Sequence, residues 1–128
     1  MSLKILFAVA IGGAVGALSR YILTIGIGYL INSSFPYSTL VTNVVGSFAL
    51  GSLTEITDFK LIPVEGVRSF LVVGILGSFT TFSPFSQDVT FLLERGALSL
   101  ATLCVMLSVI LSIAGIFRGM LIFRQFPV

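Results

Sequence analysis

The chain has 128 residues, of which 56% are hydrophobic and 9% are charged, and its formal net charge is +2. Soluble domains carry about 25% charged residues, so this composition excludes a soluble domain and indicates an integral membrane protein. A helix that crosses a bilayer needs about 20 apolar residues, which leaves room for four spans but not for a soluble catalytic domain. The basic residues are scattered, so we expect no nucleic-acid partner.

Four apolar stretches predict the four transmembrane helices, and we interpret residues 1–128 as a single four-helix transmembrane domain. The stretches lie near residues 3–31, 38–57, 66–93 and 97–123. The first has a short basic start like that of a signal peptide, but it continues past Arg20 without a convincing cleavage site, so we expect a retained helix. Gly96, after the third stretch, stands where a helix C-cap is expected.

Small residues recur four positions apart in three of these stretches. The pairs are Gly12 with Gly16, Ser47 with Gly51, and Gly115 with Gly119. Each pair lies on one helix face and allows a neighbouring backbone to approach closely. We therefore expect these residues to pack the helices against one another.

Lysine and arginine residues predict the orientation of the helices. With four spans, both termini and the second connection lie on the same side of the membrane. Basic residues favour the cytoplasmic side, and Arg95 alone lies in the opposite connections. The five basic residues on the side of the termini are Lys4, Lys60, Arg68, Arg118 and Arg124. This bias predicts that both termini are cytoplasmic.

The third stretch is interrupted at its centre, where residues 74–86 contain two glycines, a proline and five hydroxyl residues. Non-helical backbone at membrane depth is tolerated only where it is buried in protein or lines a cavity. The interruption therefore predicts a binding site or a pathway. No acidic residue lies between Gly66 and Gln87, so a cation bound here would have backbone carbonyls as its ligands.

Polar and aromatic side chains at membrane depth have two interpretations each. An amide in lipid needs a partner, so Asn43 either bonds another helix or lines an anion path. Ser108 and Ser112, spaced i and i+4, either bond their own helix backbone or form a polar stripe. Phe82 and Phe85 either pack or turn their positive ring edges towards an anion.

Arg20 is a single basic residue inside the first span, with no acidic residue near it in the sequence. Its guanidinium either extends to the membrane interface or sets a positive potential at a vestibule. The missing acidic neighbour argues against a simple ion pair.

Three motifs, at residues 12–21, 39–48 and 77–86, resemble in order those of the Fluc (CrcB) family of bacterial fluoride channels. The resemblance covers essentially the whole chain. It implies an all-α membrane protein of the bacterial inner membrane, with four transmembrane helices and a broken third helix. It also implies an antiparallel dual-topology dimer embedded in membrane lipid, which exports fluoride passively and is not an enzyme.

By motif position, the resemblance also implies the site residues. The fluoride pathway would comprise Asn43, Phe82, Phe85, Thr39, Ser108, Ser112, Thr81 and Ser83. Arg20 would lie at a vestibule. The backbone carbonyls of Gly77 and Thr80 from two subunits would hold a structural sodium ion.

Two departures from the family pattern leave alternatives open. Pro84 stands where the family usually has threonine, which removes a hydroxyl and stiffens the restart of the helix. The five-to-one bias of basic residues is larger than a dual-topology subunit usually shows. The chain could therefore be a non-conducting or paired subunit of a heterodimeric fluoride channel. A small multidrug exporter is a weaker alternative, since its proton coupling needs an acidic residue that the first span lacks.

Overall fold

The computed structural model describes residues 1–58 and 65–125, and within them all regular structure is helical. Four helical spans in these residues are long and apolar enough to cross a membrane. They are α1 (Leu3–Leu30), α2 (Tyr37–Asp58), a third span formed by α3 (residues 65–79) and α4 (Ser83–Glu94), and α5 (Leu98–Arg124). The predicted all-helical fold with four spans is confirmed. Lys60, which contributes to the predicted orientation, lies outside the described residues.

The third span is broken where the sequence predicts. Three segments form α3: an α-helical turn, a π-helical segment and a second α-helical turn, at Glu65–Arg68, Ser69–Leu76 and Gly77–Phe79. The chain then becomes extended at Thr80 (φ −79°, ψ 155°), and α4 starts at Ser83 with Pro84 in its first turn. Proline is well tolerated there, because the N–H groups of a first helical turn have no intrahelical partner. Proline at position 84, where the resembled family usually has threonine, is therefore compatible with the first turn of α4.

The predicted small-residue pairs pack the helices as expected. A Cβ atom on Gly12 would overlap the carbonyl oxygen of Phe70, and one on Gly16 would overlap that of Ile75, so α1 lies directly on α3. Such contacts replace a hydrophobic driving force, which is absent between helices in lipid.

The other two pairs bring α2 and α5 together. Cβ atoms on Gly51 and Gly119 would overlap the carbonyl oxygens of Ile116 and Phe48, respectively. A Cβ atom on Gly115 would meet the carbonyl oxygen of Val44, four residues before Phe48. The contacts of Gly115 and Gly119 therefore advance together along both helices, so α2 and α5 run in the same direction. Near their C-terminal ends the Arg124 guanidinium donates to Oε1 of Glu55, with an Nε–Oε1 distance of 3.2 Å.

Gly96 ends α4 as predicted, with a φ of 74°. Its N–H donates to the carbonyl of Leu93 (3.0 Å), and the N–H of Ala97 donates to that of Leu92 (2.9 Å). This pair of bonds is the Schellman motif, which satisfies the last carbonyls of a helix. The turn leads directly into α5, where Ala101 joins Leu92 in the buried core.

The close approach of α2 and α5 predicts how two glycines respond to the same substitution. We expect Gly51→Ala to lower the free energy of unfolding by about 1–3 kcal/mol, because the added methyl group overlaps backbone that cannot move aside. Denaturation in detergent micelles, followed by circular dichroism, measures this change.

Gly26→Ala is the matched control, since nothing lies within 4 Å of a Cβ atom at that position. Its free energy of unfolding should stay close to that of the wild type. Equal stability of the two variants would show that the α2–α5 contact is not close enough to exclude a side chain.

Candidate functional site

Two side chains from neighbouring helices hold the backbone at the break. Nδ2 of Asn43 donates to the carbonyl of Thr81 (2.9 Å), and Oδ1 of Asn43 accepts from the N–H of Thr81 (2.7 Å). On the other side, Nε of Arg20 donates to the carbonyl of Ser78 (3.1 Å). The structure thus places Asn43 in the interhelical bonds that one of its interpretations predicts. Its amide nitrogen carries a second N–H that these bonds do not use.

A cavity of about 420 Å³ lies against the break. Its lining combines an amide, hydroxyl groups and aromatic rings, and within residues 1–58 and 65–125 no charged side chain contributes to it. The lining residues are Asn43, Ser47, Gly77, Thr80, Thr81, Phe82, Phe85, Ser108, Val109 and Ser112. The structure therefore brings together six of the eight predicted pathway residues, and with them the two residues predicted to hold a cation.

Three serine hydroxyls in this cavity differ from most other hydroxyls in the chain. Thr42 and Ser52 donate to carbonyls three or four residues earlier, at 2.9 Å. Among the described hydrogen bonds, none joins the hydroxyls of Ser47, Ser108 or Ser112 to a carbonyl. The described hydrogen bonds therefore do not support the interpretation that Ser108 and Ser112 bond their own helix backbone. Their O–H groups can donate to another partner.

Phe82 and Phe85 lie next to each other, with ring centroids 5.5 Å apart and planes tilted by 55°. Phe85 also packs against the buried core, so the packing interpretation applies to it. The side chain of Phe82 is 77% exposed in the single chain.

A second cavity, of about 470 Å³, also borders the break at Thr81. It contains Arg20 and Thr39, and the hydroxyl of Thr39 donates to Oδ2 of Asp88 (2.7 Å). Thr39 therefore lines a different cavity from the one that contains Phe82 and Phe85. Ser83 is exposed at the start of α4 and lines neither cavity.

The sequence interpretation missed two acidic residues. Asp88 is half-buried in the third span, and Glu55 is 6% exposed in α2. An acidic residue inside an apolar span is rare and normally has a partner, so that rule could have found both. Arg20 lines the same cavity as Asp88, but within residues 1–58 and 65–125 the ion pair described is that of Glu55 with Arg124.

The carbonyls of Gly77 and Thr80 lack their usual helical partners for identifiable reasons. In a continuous helix, the N–H of Thr81 would bond the carbonyl of Gly77, but it donates to Asn43 instead. The partner of the Thr80 carbonyl would be residue 84, and proline has no N–H. Both carbonyls belong to residues that line the first cavity.

Comparison with known proteins gives consistent matches along most of the chain. The model of a family described as "CrcB-like protein, Camphor Resistance (CrcB)" matches residues 7–120. The fluoride-specific ion channel FluC of Rhodospirillum centenum is 43% identical over 122 residues, which are 95% of this chain and 97% of that protein. The proteins of the same name from Agrobacterium fabrum and Cereibacter sphaeroides are 44% identical (91% of this chain, 94% of that protein) and 46% identical (90% of each).

The bonds between Asn43 and Thr81 predict a specific loss of stability. We expect Asn43→Ala to lower the free energy of unfolding by about 1–3 kcal/mol, because an N–H and a C=O of Thr81 lose their partners at membrane depth. Denaturation in detergent micelles measures the change.

Ser47→Ala serves as the control, since Ser47 lines the same cavity and no bond to a carbonyl is described for it. It should change stability little. If Asn43→Ala were as stable as Ser47→Ala, the amide would not be needed to hold the break.

Proposed function

This chain belongs to the CrcB family, and we propose that it forms a fluoride-selective channel that lowers cytoplasmic fluoride by passive export. It is a multi-pass protein of a bacterial membrane, for which we propose the inner membrane. Its relatives are named as ion channels and not as enzymes. Family membership argues against the multidrug exporter.

The observation that carries this proposal is the first cavity, where neutral donors and aromatic rings meet without an acidic group. A small anion that leaves water loses strong hydrogen bonds and needs donors in their place. The free N–H of Asn43 and the hydroxyls of Ser108 and Ser112 can supply them. The positive edges of Phe82 and Phe85 add attraction without a fixed charge that would trap the ion.

Passive export follows from the acid–base chemistry of fluoride. Hydrofluoric acid is weak, so in acidic surroundings it crosses membranes as the neutral acid and dissociates in a more alkaline cytoplasm. A pathway for the anion alone releases the trapped ion down its gradient. Thr81 and Thr39 belong to this proposed pathway as residues of the second cavity, with Arg20 at its vestibule. Ser83, exposed beside Phe82, is its least supported member.

A second subunit in the opposite orientation belongs to the proposal. The exposed ring of Phe82 and the exposed apolar residues of α1, such as Ile22 (68%) and Tyr29 (87%), support it, because membrane lipid and a partner would share this surface. An identical partner is the simplest assembly. The bias of basic residues leaves a related, oppositely fixed subunit as the alternative.

A structural sodium ion fits the carbonyls of Gly77 and Thr80, which have no helical partner. Two antiparallel copies would supply four such oxygens. When bound, the ion would supply a fixed positive charge that satisfies these oxygens. The residues of the break hold their positions through the bonds from Asn43 and Arg20.

Liposomes that contain only this chain test the channel function. Fluoride efflux should be fast after the membrane potential is released, whereas chloride efflux should equal that of empty liposomes. Selectivity is expected because the cavity offers small neutral donors and no cationic side chain for a larger halide. Comparable chloride efflux would contradict the proposal, and no fluoride efflux would favour a paired subunit.

Phe82→Ile and Phe85→Ile should each reduce the fluoride efflux about tenfold, which corresponds to about 1.4 kcal/mol. Isoleucine keeps most of the apolar volume but has no positive ring edge. Phe117→Ile is the control, since Phe117 is an exposed phenylalanine of α5 that lines neither the first nor the second cavity, nor those beside Arg95. Equal fluoride efflux in all three variants would show that Phe82 and Phe85 pack the helices and that their ring edges do not attract the anion.

The dimer and its sodium ion are tested together in detergent. Light scattering should give twice the chain mass. Replacing sodium with N-methylglucamine should lower the midpoint of thermal unfolding, because carbonyls at membrane depth then lose their partner. Potassium chloride at the same ionic strength separates a specific loss from a general salt effect. A monomer, or a midpoint indifferent to the cation, would contradict this part of the proposal.

A further inference from the structure

Asp88 borders polar space on two sides. Towards the break it lines the second cavity, with Arg20 and Thr39. Towards the end of α4 it lines two smaller cavities, of about 260 and about 60 Å³, and Arg95 lines both of these. We call these two spaces the outer cavities.

Shared lining residues connect these spaces in sequence. Thr81 borders both the first and the second cavity. Ser38 and Asp88 border both the second cavity and the larger outer one. Neighbouring cavities therefore follow one another from the break to the end of α4 where Arg95 lies, beside the α1–α2 connection.

The charged side chains that border these cavities have the net positive charge that favours an anion only when Arg95 is included. The carboxylate of Asp88 would repel an anion, although the hydroxyl of Thr39 bonds one of its oxygens. Arg20 and Arg95 lie on either side of Asp88, so the three groups together carry a net charge of +1. Without Arg95 the net charge of this stretch is zero.

Arg95 is available to act on ions in solution. Its side chain is exposed, and within residues 1–58 and 65–125 no ion pair is described for it. Glu94 precedes it in the chain but lines neither outer cavity. The hydroxyls of Ser33 and Ser34 line the larger outer cavity with it and add neutral donors.

We propose that Arg95, with Ser33 and Ser34, forms the mouth at which fluoride passes between bulk water and the pathway. This inference rests on the proposed channel function. A solvent-exposed cation at a narrow opening raises the local concentration of anions and their rate of capture, and salt screens this effect. Arg95 thus acts on the rate of capture, whereas the first cavity selects the ion.

Initial fluoride efflux from liposomes at two ionic strengths tests this mouth. At about 10 mM, where charges act over about 30 Å, Arg95→Glu should reduce the initial rate roughly threefold or more. At about 1 M, where they act over about 3 Å, the rates of variant and wild type should converge. Arg95→Lys should keep the wild-type rate, because it keeps the charge, and Arg95→Gln should lie between.

Lys4→Glu is the matched control, since it makes the same change of charge at an exposed residue outside these cavities. An equal loss of the initial efflux rate in Lys4→Glu would contradict the proposed mouth. So would an unchanged rate in Arg95→Glu and Arg95→Gln at low ionic strength. A loss that Arg95→Lys shares and that salt does not remove would also overturn it, as a structural effect. If the wild type itself carried no fluoride, the channel function would fail, and the mouth with it.

Discussion

Backbone groups that leave a helix inside a bilayer must find new partners, and the rest of this structure follows from how the break in the third span meets that need. Asn43 hydrogen-bonds both the N–H and the C=O of Thr81, and Arg20 donates to the carbonyl of Ser78. The N–H of Thr80 still bonds Leu76. Because these partners come from α2 and α1, the break fixes the positions of both helices. The two polar cavities lie where the helices converge on it.

Small residues make that convergence possible. Gly46 lies one turn from Asn43, and a Cβ atom there would overlap the side chain of Thr80. An amide side chain is short, so Asn43 reaches Thr81 only because α2 approaches the break at Gly46. Gly12 and Gly16 do the same for α1 and Arg20. Close packing and hydrogen bonding are therefore one requirement here, since larger residues on these faces would separate the polar groups from their partners.

The sequence predicts most of the fold, because spans, the break, the packing pairs and the Gly96 cap are set by local pattern. It predicts less of the site. Asn43, Phe82 and Ser108 meet in one cavity, as their motifs imply, whereas Thr39 faces Asp88 in another. Which side chains meet across helices depends on how far each helix is rotated about its axis, and contacts between helices set that rotation. The pairing of Glu55 with Arg124, which are far apart in the sequence, was beyond local pattern for the same reason.

Pro84 prevents the break from closing into a regular helix, whereas glycine or threonine at this position would have an N–H for the missing bond. Thermal fluctuation can close most interruptions of a helix for a moment, as the chain regains its regular bonds. Here the carbonyl of Thr80 can never receive such a bond, and a proline ring inside a continuous helix costs about 3 kcal/mol. The third span therefore has no straight conformer of low energy. A change in the channel that straightened the third span would therefore have to supply this cost.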